Sequence, residues 1–379
     1  MWSSILQDVR VALRSLRKAR GLSLVALTTL AVSIGATSAI FSVVDGVLLR
    51  PLPYPEADEV VTVAASTLPQ LGGGDAPFSD RGYWHFVENN RAFEAFGGYS
   101  AGSIQWPLTG NDGPPIQLDV AAMTASAFQV IGLYPQRGRF PTAEEDIPDG
   151  PQLVLISDAL WKSRFGADPD IIGRAIELNG MSREVIGVMP DGYDFPTREA
   201  DAWIPRQLDP ASENFGGHHL NGIARLSPGM TIEAATGDAE SLIARFDEVG
   251  YGPQWFEGVF SGEAHVQTWK DRLVGDARDP LLILLGTVGF VLLIACSNLA
   301  NLLLVRAESR TRERAVRMAL GSGRGRLIQY VLTESVILSL VGGLLGIFLA
   351  YAGTRALVAF GPVSIPRLHE VGINGTVLL

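Results

Sequence analysis

Three long apolar runs, separated by one large polar block and one short basic connector, dominate the pattern of this 379-residue chain. The runs cover residues 22–49, 281–305 and 327–360. Each is at least as long as the ~20 apolar residues that an α-helix needs to cross a bilayer. The pattern therefore predicts three membrane-spanning helices. The first run is longer than the ~7–15-residue core of a cleaved signal peptide, so we interpret it as an uncleaved anchor.

The connector between the second and third runs sets the predicted orientation of the chain. Residues 306–326 carry seven arginines against two glutamates. Short loops rich in Lys and Arg stay in the cytoplasm. The connector and residues 1–21 are therefore predicted to be cytoplasmic, with 1–21 as an amphipathic helix on the inner leaflet. Residues 50–280 then lie outside, and 361–379 form an external segment that leads to an absent fourth span.

The polar block alternates short strand-like and helix-like segments. Asn179-Gly180 lies between two alternating arms and is a strong signal for a tight hairpin turn. Strands are predicted at Val60–Ala64, Gln117–Ala121, Leu153–Ser157 and Leu220–Leu226, and the hairpin at Ile176–Val188. Helices are predicted at Asp80–Phe96, Ser157–Phe165 and Thr231–Phe246. We therefore expect a mixed α+β extracytoplasmic domain of two lobes, attached to a helical transmembrane region.

Charge is divided between the two parts of the chain. Residues 51–280 hold 15 Lys and Arg against 34 Asp and Glu, a balance of −19, while the remaining residues hold 15 against six, or +9. An acidic block with basic flanks indicates two compartments and argues against a nucleic-acid partner. Cys296 is the one cysteine, so no disulfide can form within the chain, and the domain must rely on its own core.

Small residues recur at four-residue spacing in the first and third predicted spans. Ala31, Gly35 and Ala39 form one row, and Gly342 and Gly346 belong to another. Rows of this kind let helix backbones approach closely in a membrane. We therefore expect both spans to pack against other helices rather than to stand alone in lipid.

Two amides, Asn298 and Asn301, lie one turn apart near the inner end of the second span. Intramembrane amides usually hydrogen-bond between helices, at ~0.6–2 kcal/mol each. We interpret both as packing residues, and a position on a substrate path is the alternative.

Three motifs that resemble catalytic or metal sites are interpreted as structural. Gly98–Gly102 matches G-x-S-x-G and places Ser100 as its nucleophile, but an alternating segment follows where a nucleophile elbow needs a helix. His218 and His219 face opposite sides of a predicted strand and have no further ligand nearby. Residues 144–146 are acidic and could bind a cation, but a solvated loop fits them better. We predict no catalytic residue, metal site or cofactor.

The connector shows a helical pattern of apolar and charged residues from Glu308 to Leu320. A surface helix between two spans can receive force from a cytosolic partner and pass it to both. The alternative is that the arginines fix the topology alone, although seven exceed that need. The sequence contains no G-x-x-x-x-G-K-[ST] phosphate-binding loop, so it does not bind ATP by that route.

Several stretches of the chain resemble the FtsX/MacB-type permeases of ABC transporters. In the membrane and connector regions these are Asp8–Leu16, Ile34–Asp45, Cys296–Ala307, Glu308, Arg312, Glu313 and Arg317–Gly321. In the polar block, the stretches similar to the MacB-like periplasmic core domain are Trp161–Gly166, Ile172–Arg174, Leu178–Gly180, Val185–Pro190 and Ala224–Gly229. The whole chain resembles the N-terminal half of the duplicated permeases of acidobacteria.

The resemblance implies a non-enzymatic inner-membrane permease with a large periplasmic domain and four spans per unit. A separate cytoplasmic ATPase is then expected to dock at the coupling residues Glu308, Arg312, Glu313, Arg317 and Leu320. The resemblance also implies a second permease unit, as a homodimer or a duplicated half, together with membrane lipid and a periplasmic adaptor. Closure of the ATPases would move the periplasmic domains and so expel or extract a substrate. Against that family pattern, we expect these 379 residues to hold three of the four spans and no fused nucleotide-binding domain.

Two other functions stay open on the sequence. One is an FtsX-like regulator, which would use the same movement to control a periplasmic enzyme and would be found with a bound cell-wall hydrolase. The other is a membrane-anchored periplasmic enzyme with Ser100 as its nucleophile. Unchanged hydrolysis by a Ser100→Ala variant would exclude the enzyme.

Cysteine labelling of intact cells tests the predicted orientation. We expect a cysteine at Ser309 to be protected from a membrane-impermeant reagent, because it follows the second span on the cytoplasmic side. A cysteine near Gly150 should react, because the acidic domain lies outside. Replacement of Cys296 by Ser removes the native background. Labelling of both sites from the same side would contradict the orientation.

Overall fold

The computed structural model divides the chain into two units, which we describe separately. One comprises Met1–Arg50 and Leu273–Leu379, and the other comprises Pro51–Arg272. The structure describes residues 10, 14, 16, 17, 20–71, 73–100, 102–110, 113–250, 252, 259–309, 324–360, 367, 371 and 372.

The described residues form seven α-helices and twelve strands. The helices are α1 (Arg20–Val44), α2 (Asp80–Asn89), α3 (Ala125–Ile131), α4 (Asp158–Phe165), α5 (Ile232–Ile243), α6 (Trp269–Ser309) and α7 (Arg324–Phe360). The strands are β1 (Val60–Thr67), β2 (Asp75–Ala76), β3 (Phe93–Ser100), β4 (Ile104–Thr109), β5 (Ile116–Met123), β6 (Arg137–Gly138), β7 (Leu153–Ile156), β8 (Ala175–Leu178), β9 (Met181–Val188), β10 (Ala202–Pro205), β11 (Leu220–Leu226) and β12 (Phe260–Thr268).

The three long helices α1, α6 and α7 are each long and apolar enough to cross a membrane. The prediction of three spans is therefore confirmed for the described part of the chain. A π-helical turn, Asp45–Leu49, prolongs α1, and the backbone becomes extended at Arg50. Prolines at 51, 53 and 55 follow and prevent the helix from continuing.

Helix α6 extends beyond the apolar run that predicts it. The run begins at residue 281, whereas the helix begins at Trp269 and includes Pro280. Proline lacks an N–H, so the helix loses one backbone hydrogen bond there but continues through it. At its other end α6 reaches Ser309 and so includes the first residues of the connector. The predicted boundaries at 281 and 305 mark the apolar stretch and not the ends of the helix.

An apolar cluster joins α1 to α6 within the first unit. It contains Val43 and Val47 from α1 and its π-helical turn, Val274 and Leu281 from α6, and Val371. All five side chains are buried. Farther along α6 the apolar side chains are mostly exposed, as expected for a surface that faces lipid.

The second unit contains a largely antiparallel sheet with the strand order β10-β7-β9-β8-β4-β5-β3-β11-β1-β12. Strand β2 pairs with β1, and β6 pairs with β9. Parallel pairing of β10 with β5 closes β10, β7, β9, β8, β4 and β5 into a ring. Closure removes the free edges of these strands, which would otherwise be open to pairing with other chains.

Two clusters of buried side chains stabilise this domain. The first lies between α2, α5 and the strands β3, β11, β1 and β12, and within it Phe86 stacks on Phe96 with ring centroids 5.4 Å apart. The second is formed by the ring strands and α4, and it includes Leu178 and Val185. The prediction of a mixed α+β domain is confirmed, whereas its division into two lobes stays a prediction.

Local sequence signals account for the starts of the domain helices and for one hairpin. The side chains of Ser79, Thr124, Ser157 and Thr231 accept backbone N–H groups at the starts of α2, α3, α4 and α5. Asn179 and Gly180 have φ angles of 53° and 72° between β8 and β9. Positive φ at both positions is what a two-residue hairpin turn of this type requires, so the predicted hairpin is confirmed.

Two predicted helices end earlier than expected. The helix predicted to reach Phe96 ends at Asn89, and the chain from Phe93 forms β3, which pairs with β11. The Asn90 side chain donates to the Phe86 carbonyl at 2.7 Å and so caps the end of α2. The helix predicted to reach residue 246 likewise ends at Ile243. Pairing with a strand distant in sequence outweighs the helical pattern at Phe93.

Candidate coupling and packing sites

The small residues of α1 lie against α7. A Cβ atom built on Gly35 would come within 2.9 Å of the Leu349 Cβ and 3.1 Å of the Gly346 carbonyl oxygen. Ala31 and Ala39 are buried along the same helix. A larger side chain at position 35 would clash with the backbone of α7 and not with the flexible end of a side chain. The close packing of α1 on α7 therefore depends on glycine at this position.

The glycines of α7 contribute the other half of this contact. A Cβ on Gly342 would lie 2.9 Å from the Leu30 Cβ, and one on Gly346 would lie 2.8 Å from the Ile34 Cβ. The two contacts advance in the same direction along both helices, so α1 and α7 run parallel. A parallel pair agrees with the predicted topology, in which both spans pass from the inside to the outside.

The two amides of the second span lie near the inner end of α6. Asn298 and Asn301 are both exposed in the single chain. The structure does not bring them to the contact between α1 and α7. Their role in joining helices stays a prediction.

Of the five predicted coupling residues, Glu308 falls within the described part of the chain. It is exposed and lies in the last turn of α6. Arg312, Glu313, Arg317 and Leu320 lie outside the described residues, so their role stays a prediction. The same helix thus contains the second predicted span and Glu308, and the coupling role of Glu308 stays a prediction.

The segment that matches G-x-S-x-G is the end of a strand followed by a turn. Ser100 is the last residue of β3, Gly102 has a φ of 74°, and β4 begins at Ile104. The Gly98 amide donates to the Thr124 hydroxyl at 3.0 Å. A nucleophile elbow needs a helix after the serine, so the interpretation as a turn between strands is confirmed.

The adjacent histidines lie just before β11 and not on a strand, which corrects the prediction for this segment. His218 Nδ1 lies 2.8 Å from the Pro77 carbonyl oxygen, and His219 Nε2 lies 3.2 Å from Asp80 Oδ1. Both contacts connect the segment to the start of α2. Across the described residues, no group of three metal-ligating side chains comes together.

In the acidic segment 144–146, Glu144 is exposed, as expected for a solvated loop. Glu145 forms a salt bridge with Arg139 at 2.6 Å. Two hydrogen bonds from the Arg139 guanidinium stabilise the carboxylate and lower the pKa of Glu145 to about 2. Glu145 thus lies on the exposed loop as a paired and not a free carboxylate.

Asp146 is buried, so the solvated-loop expectation is wrong at this position. Its carboxylate accepts the Ala125 amide at 2.7 Å and the Gln207 amide at 2.6 Å. Burial raises the pKa of Asp146, while these backbone hydrogen bonds favour its charged form. Asp146 thus connects the start of α3 to the segment after β10, a role that sequence spacing does not reveal because its partners are distant along the chain.

A further group of residues lies where β12 passes into α6. Strand β12 ends at Thr268 and helix α6 begins at Trp269, with no residue between them. The Thr268 hydroxyl accepts the Asp271 amide at 3.0 Å and donates to the Asp271 carboxylate at 2.8 Å. These reciprocal bonds cap the first turn of α6.

Aromatic packing holds the same turn in the domain. Trp269 is 3% exposed. Its ring packs edge-on against Phe195 and Tyr99, at centroid distances of 5.2 and 6.2 Å. Burial raises the pKa of Tyr99 to about 12. The first residue of α6 is therefore part of the packed interior of the Pro51–Arg272 unit.

A salt bridge joins Arg272, in the first turn of α6, to Asp75. Arg272 Nη1 lies 3.0 Å from Asp75 Oδ2. The other carboxylate oxygen of Asp75 lies 2.7 Å from His265 Nδ1 on β12. Asp75 thus contacts both the strand that leads into α6 and the helix itself. The sequence pattern does not single out these residues, because Asp75 is far from its partners along the chain.

Comparison with known proteins identifies the family. The family described as MacB-like periplasmic core domain matches residues 23–242, which is more than half of the chain, and the family described as FtsX-like permease C-terminal matches residues 285–378. This chain belongs to the MacB-like family. The predicted resemblance is confirmed at that level, and the similarity to acidobacterial permeases stays a prediction.

Several relatives of the MacB-like chain carry export or permease names. The macrolide export ATP-binding/permease protein MacB of Hahella chejuensis is 28% identical over 245 residues, which are 64% of this chain and 36% of the relative. The uncharacterized ABC transporter permease YknZ of Bacillus subtilis is 26% identical over 236 residues, 61% of this chain and 56% of the relative. The MacB-like chain thus spans about a third to about half of the length of these relatives.

Two solved structures resemble part of the MacB-like chain. The periplasmic region of MacB from Actinobacillus actinomycetemcomitans has a TM-score of 0.42 at 14% identity and covers 59% of this chain and 94% of its own. The extracellular domain of the noncanonic ABC-type transporter YknZ from Gram-positive bacteria has a TM-score of 0.40 at 15% identity, over 55% of this chain and 99% of its own.

Family membership gives the general function of the MacB-like chain. It belongs to the MacB-like permease family of ABC transporters. It is a multi-pass inner-membrane protein with its large domain in the periplasm. The predicted localisation is confirmed.

The contact between α1 and α7 predicts that a larger side chain at Gly346 lowers the stability of the protein. We expect Gly346→Leu to destabilise the protein by ~1–3 kcal/mol, because the new side chain would have to displace Ile34. Gly343→Leu is the matched control, since a Cβ there meets nothing within 4 Å. Apparent melting temperatures of the detergent-solubilised variants measure the difference. Equal losses in both variants would contradict the close contact.

The pair Glu145–Arg139 predicts a specific response to acid. The pKa of Glu145 in the folded chain, about 2, is below its ordinary value, so the pair stabilises the fold above pH ~4.5 and this contribution disappears as the pH falls towards 2. Arg139 is half exposed, so we expect ~0.2–1 kcal/mol. Tryptophan-fluorescence melts between pH 6 and 3 should show a smaller decline for Glu145→Gln than for the wild type. Glu144→Gln should behave as the wild type does.

Proposed function

We propose that the MacB-like chain is the permease subunit of an ABC-type mechanotransmission transporter. In this proposal, ATP hydrolysis by a separate cytoplasmic ATPase moves the periplasmic domain, and that movement expels or extracts a substrate. The observation that carries the proposal is helix α6. It begins where the last strand of the domain ends, and it continues without interruption to Glu308 at the predicted coupling segment.

The length of α6 suits this role. Its 41 residues correspond to a helix roughly 60 Å long. The hydrocarbon core of a bilayer is ~30 Å thick, so α6 is long enough to emerge on both sides. A helix satisfies its backbone hydrogen bonds internally, and it can cross the membrane as one mechanical element.

The partners in this proposal follow from charge and from family membership. The basic connector, residues 306–326, would dock on the ATPase through Glu308, Arg312, Glu313, Arg317 and Leu320. A second permease unit, either another copy or a duplicated half, would complete the membrane region together with lipid. A periplasmic adaptor would contact the domain. Exposed apolar side chains on α6, such as Phe290 and Ile294, offer the surface for lipid or for the second unit.

Charge reversal in the connector tests the proposed coupling. We expect the double variant Arg312→Glu, Arg317→Glu to lose roughly tenfold or more of the ABC ATPase that co-purifies with the wild-type chain, because like charges brought together at an interface cost several kcal/mol. Quantitative mass spectrometry of the detergent-solubilised complex gives the measurement.

Charge reversal at Arg310 and Arg324 is the matched control. These residues belong to the same connector but not to the predicted coupling set, and the double variant changes the net charge equally. Membrane insertion of both variants is checked by labelling at Ser309. Absence of any ABC ATPase from the wild-type preparation, or equal retention in both variants, would contradict the proposal. Co-purification of a cell-wall hydrolase with unaffected efflux would favour the regulator instead.

A further inference from the structure

We propose that the ring formed by β10, β7, β9, β8, β4 and β5 binds a small amphiphile that carries one carboxylate, with Arg183 and Trp106 at its charged end. All residues of this site belong to the Pro51–Arg272 unit. The inference goes beyond the proposed function, because it involves neither an ATPase nor the membrane helices.

Arg183 of β9 points to the inner face of the ring. It pairs directly with Ile176 of β8. Directly opposed residues on neighbouring antiparallel strands face the same side, and Ile176 belongs to the apolar cluster of the ring strands. Val185, two residues after Arg183, belongs to the same cluster. Arg183 is 5% exposed and thus occupies a position where the alternation of the strand predicts an apolar residue.

The guanidinium of Arg183 has no acidic partner among the residues that the structure describes. Its Nε is buried without a hydrogen-bond partner there. Burial lowers the pKa of Arg183, and across the described residues no acidic group offsets this effect. The side chain of Arg225, in contrast, is 11% exposed and lies 3.5 Å from Glu59 and 3.6 Å from Glu56. Buried charges are normally paired because loss of hydration is costly, so Arg183 marks a place for an anion.

Trp106 of β4 holds the guanidinium on one side. The Arg183 Cζ lies 5.4 Å from the centre of the Trp106 ring, within the range of a cation–π contact. Trp106 pairs with Leu118 of β5, a member of the same apolar cluster, so the indole lies on the inner face as well. An aromatic ring is not an ordinary hydrogen-bond acceptor. The N–H groups of the guanidinium therefore remain available to a carboxylate.

Two exposed apolar side chains lie on the same face as this pair. Met181 is 44% exposed and pairs with Leu178, and Ile104 is 52% exposed and pairs with Val120. Leu178 and Val120 belong to the buried cluster, so Met181 and Ile104 face inward and yet reach solvent. Each lies two residues from the arginine or the tryptophan on its own strand. The inner face is therefore accessible beside the buried cation, and its rim is apolar.

The turn between β8 and β9 brings the two strands of the site together. The Asn179 amide in this turn donates to the Pro107 carbonyl at 2.9 Å. Pro107 follows Trp106 directly, and Met181 is the first residue of β9 after the turn. The turn thus holds the start of β9 against the part of β4 that carries the tryptophan.

Charge and polarity indicate the class of ligand. One guanidinium neutralises one negative charge, and its two parallel N–H groups match the two oxygens of a carboxylate. A phosphate monoester carries up to two charges, and residues 51–280, with a balance of −19, repel additional negative charge. The rim of Met181 and Ile104 favours an apolar chain attached to the carboxylate. Octanoate has both properties and is accordingly a suitable probe.

Fluorine NMR of the detergent-solubilised full chain, labelled with 5-fluorotryptophan, tests the site. The chain contains seven tryptophans, and a Trp106→Phe variant assigns the resonance of Trp106. We expect sodium octanoate to shift this resonance saturably, with half-saturation at roughly 1 mM, as is reasonable for a ligand of about ten non-hydrogen atoms. Octanamide has the same chain without the charge and should require a concentration at least about tenfold higher.

Variants of Arg183 separate binding from a purely structural role. Arg183→Gln should raise the half-saturating octanoate concentration roughly tenfold or more, because an amide cannot neutralise a carboxylate. Arg183→Lys keeps the charge and should bind octanoate more tightly than Arg183→Gln does. Arg174→Gln is the matched control and should bind as the wild type does, since Arg174 also lies over an aromatic ring, that of Phe165, but is paired with Asp168.

The proposal is overturned if octanoate causes no saturable shift at Trp106, or if octanamide binds as tightly as octanoate. Equal octanoate affinity in the wild type and in a folded Arg183→Gln variant would overturn it too. The comparison of the two ligands uses the wild-type chain, so it decides the point even where an Arg183 variant fails to fold. Tighter binding of octyl phosphate than of octanoate would overturn the assignment to a carboxylate. None of these results depends on co-purification of an ATPase, so this proposal and the proposed function fail separately.

Discussion

Direct contact between the backbones of α1 and α7 is the interaction on which the membrane part of this protein depends. In lipid, apolar side chains gain nothing by leaving their surroundings for one another, so helices associate where small residues allow close packing. Gly35 and Gly346 provide that contact, since a Cβ on Gly35 would lie 3.1 Å from the Gly346 carbonyl oxygen and one on Gly346 would lie 3.4 Å from the Ala31 carbonyl oxygen. Because α1 immediately precedes the periplasmic domain and α7 follows the connector, their contact brings together two parts of the chain that are far apart in sequence.

The periplasmic domain obtains its stability by other means. It lies in water, so burial of apolar side chains contributes directly, and two clusters of buried residues fill the space around Phe86 and Val185. The acidic surface does not remain wholly solvated. Asp146 is buried, and its carboxylate accepts hydrogen bonds from the amides of Ala125 and Gln207. Backbone donors of this kind offset the cost of burying a carboxylate.

Features governed by short stretches of sequence could be predicted, and features governed by distant partners could not. Apolar runs revealed the spans, and Asn179-Gly180 revealed a hairpin, because both signals are contained in neighbouring residues. Phe93 was misassigned to a helix because its strand partner, β11, follows far along the chain. The start of α6 at Trp269 was missed for a similar reason, since hydropathy marks the part of a helix in lipid but not the part held by Tyr99 and Asp75.

Strand β12 passes into helix α6 with no residue between them. The number of residues early in α6 therefore decides where later side chains lie around the helix. An α-helix advances ~100° per residue. One residue gained or lost early in α6 would therefore rotate Asn298, Asn301 and Glu308 about the helix axis by that angle relative to Trp269. Surface loops tolerate such changes in length, whereas a continuous helix passes the rotation on to every later residue. Length variation among relatives should accordingly be excluded from Thr268–Arg272 and confined to loops elsewhere.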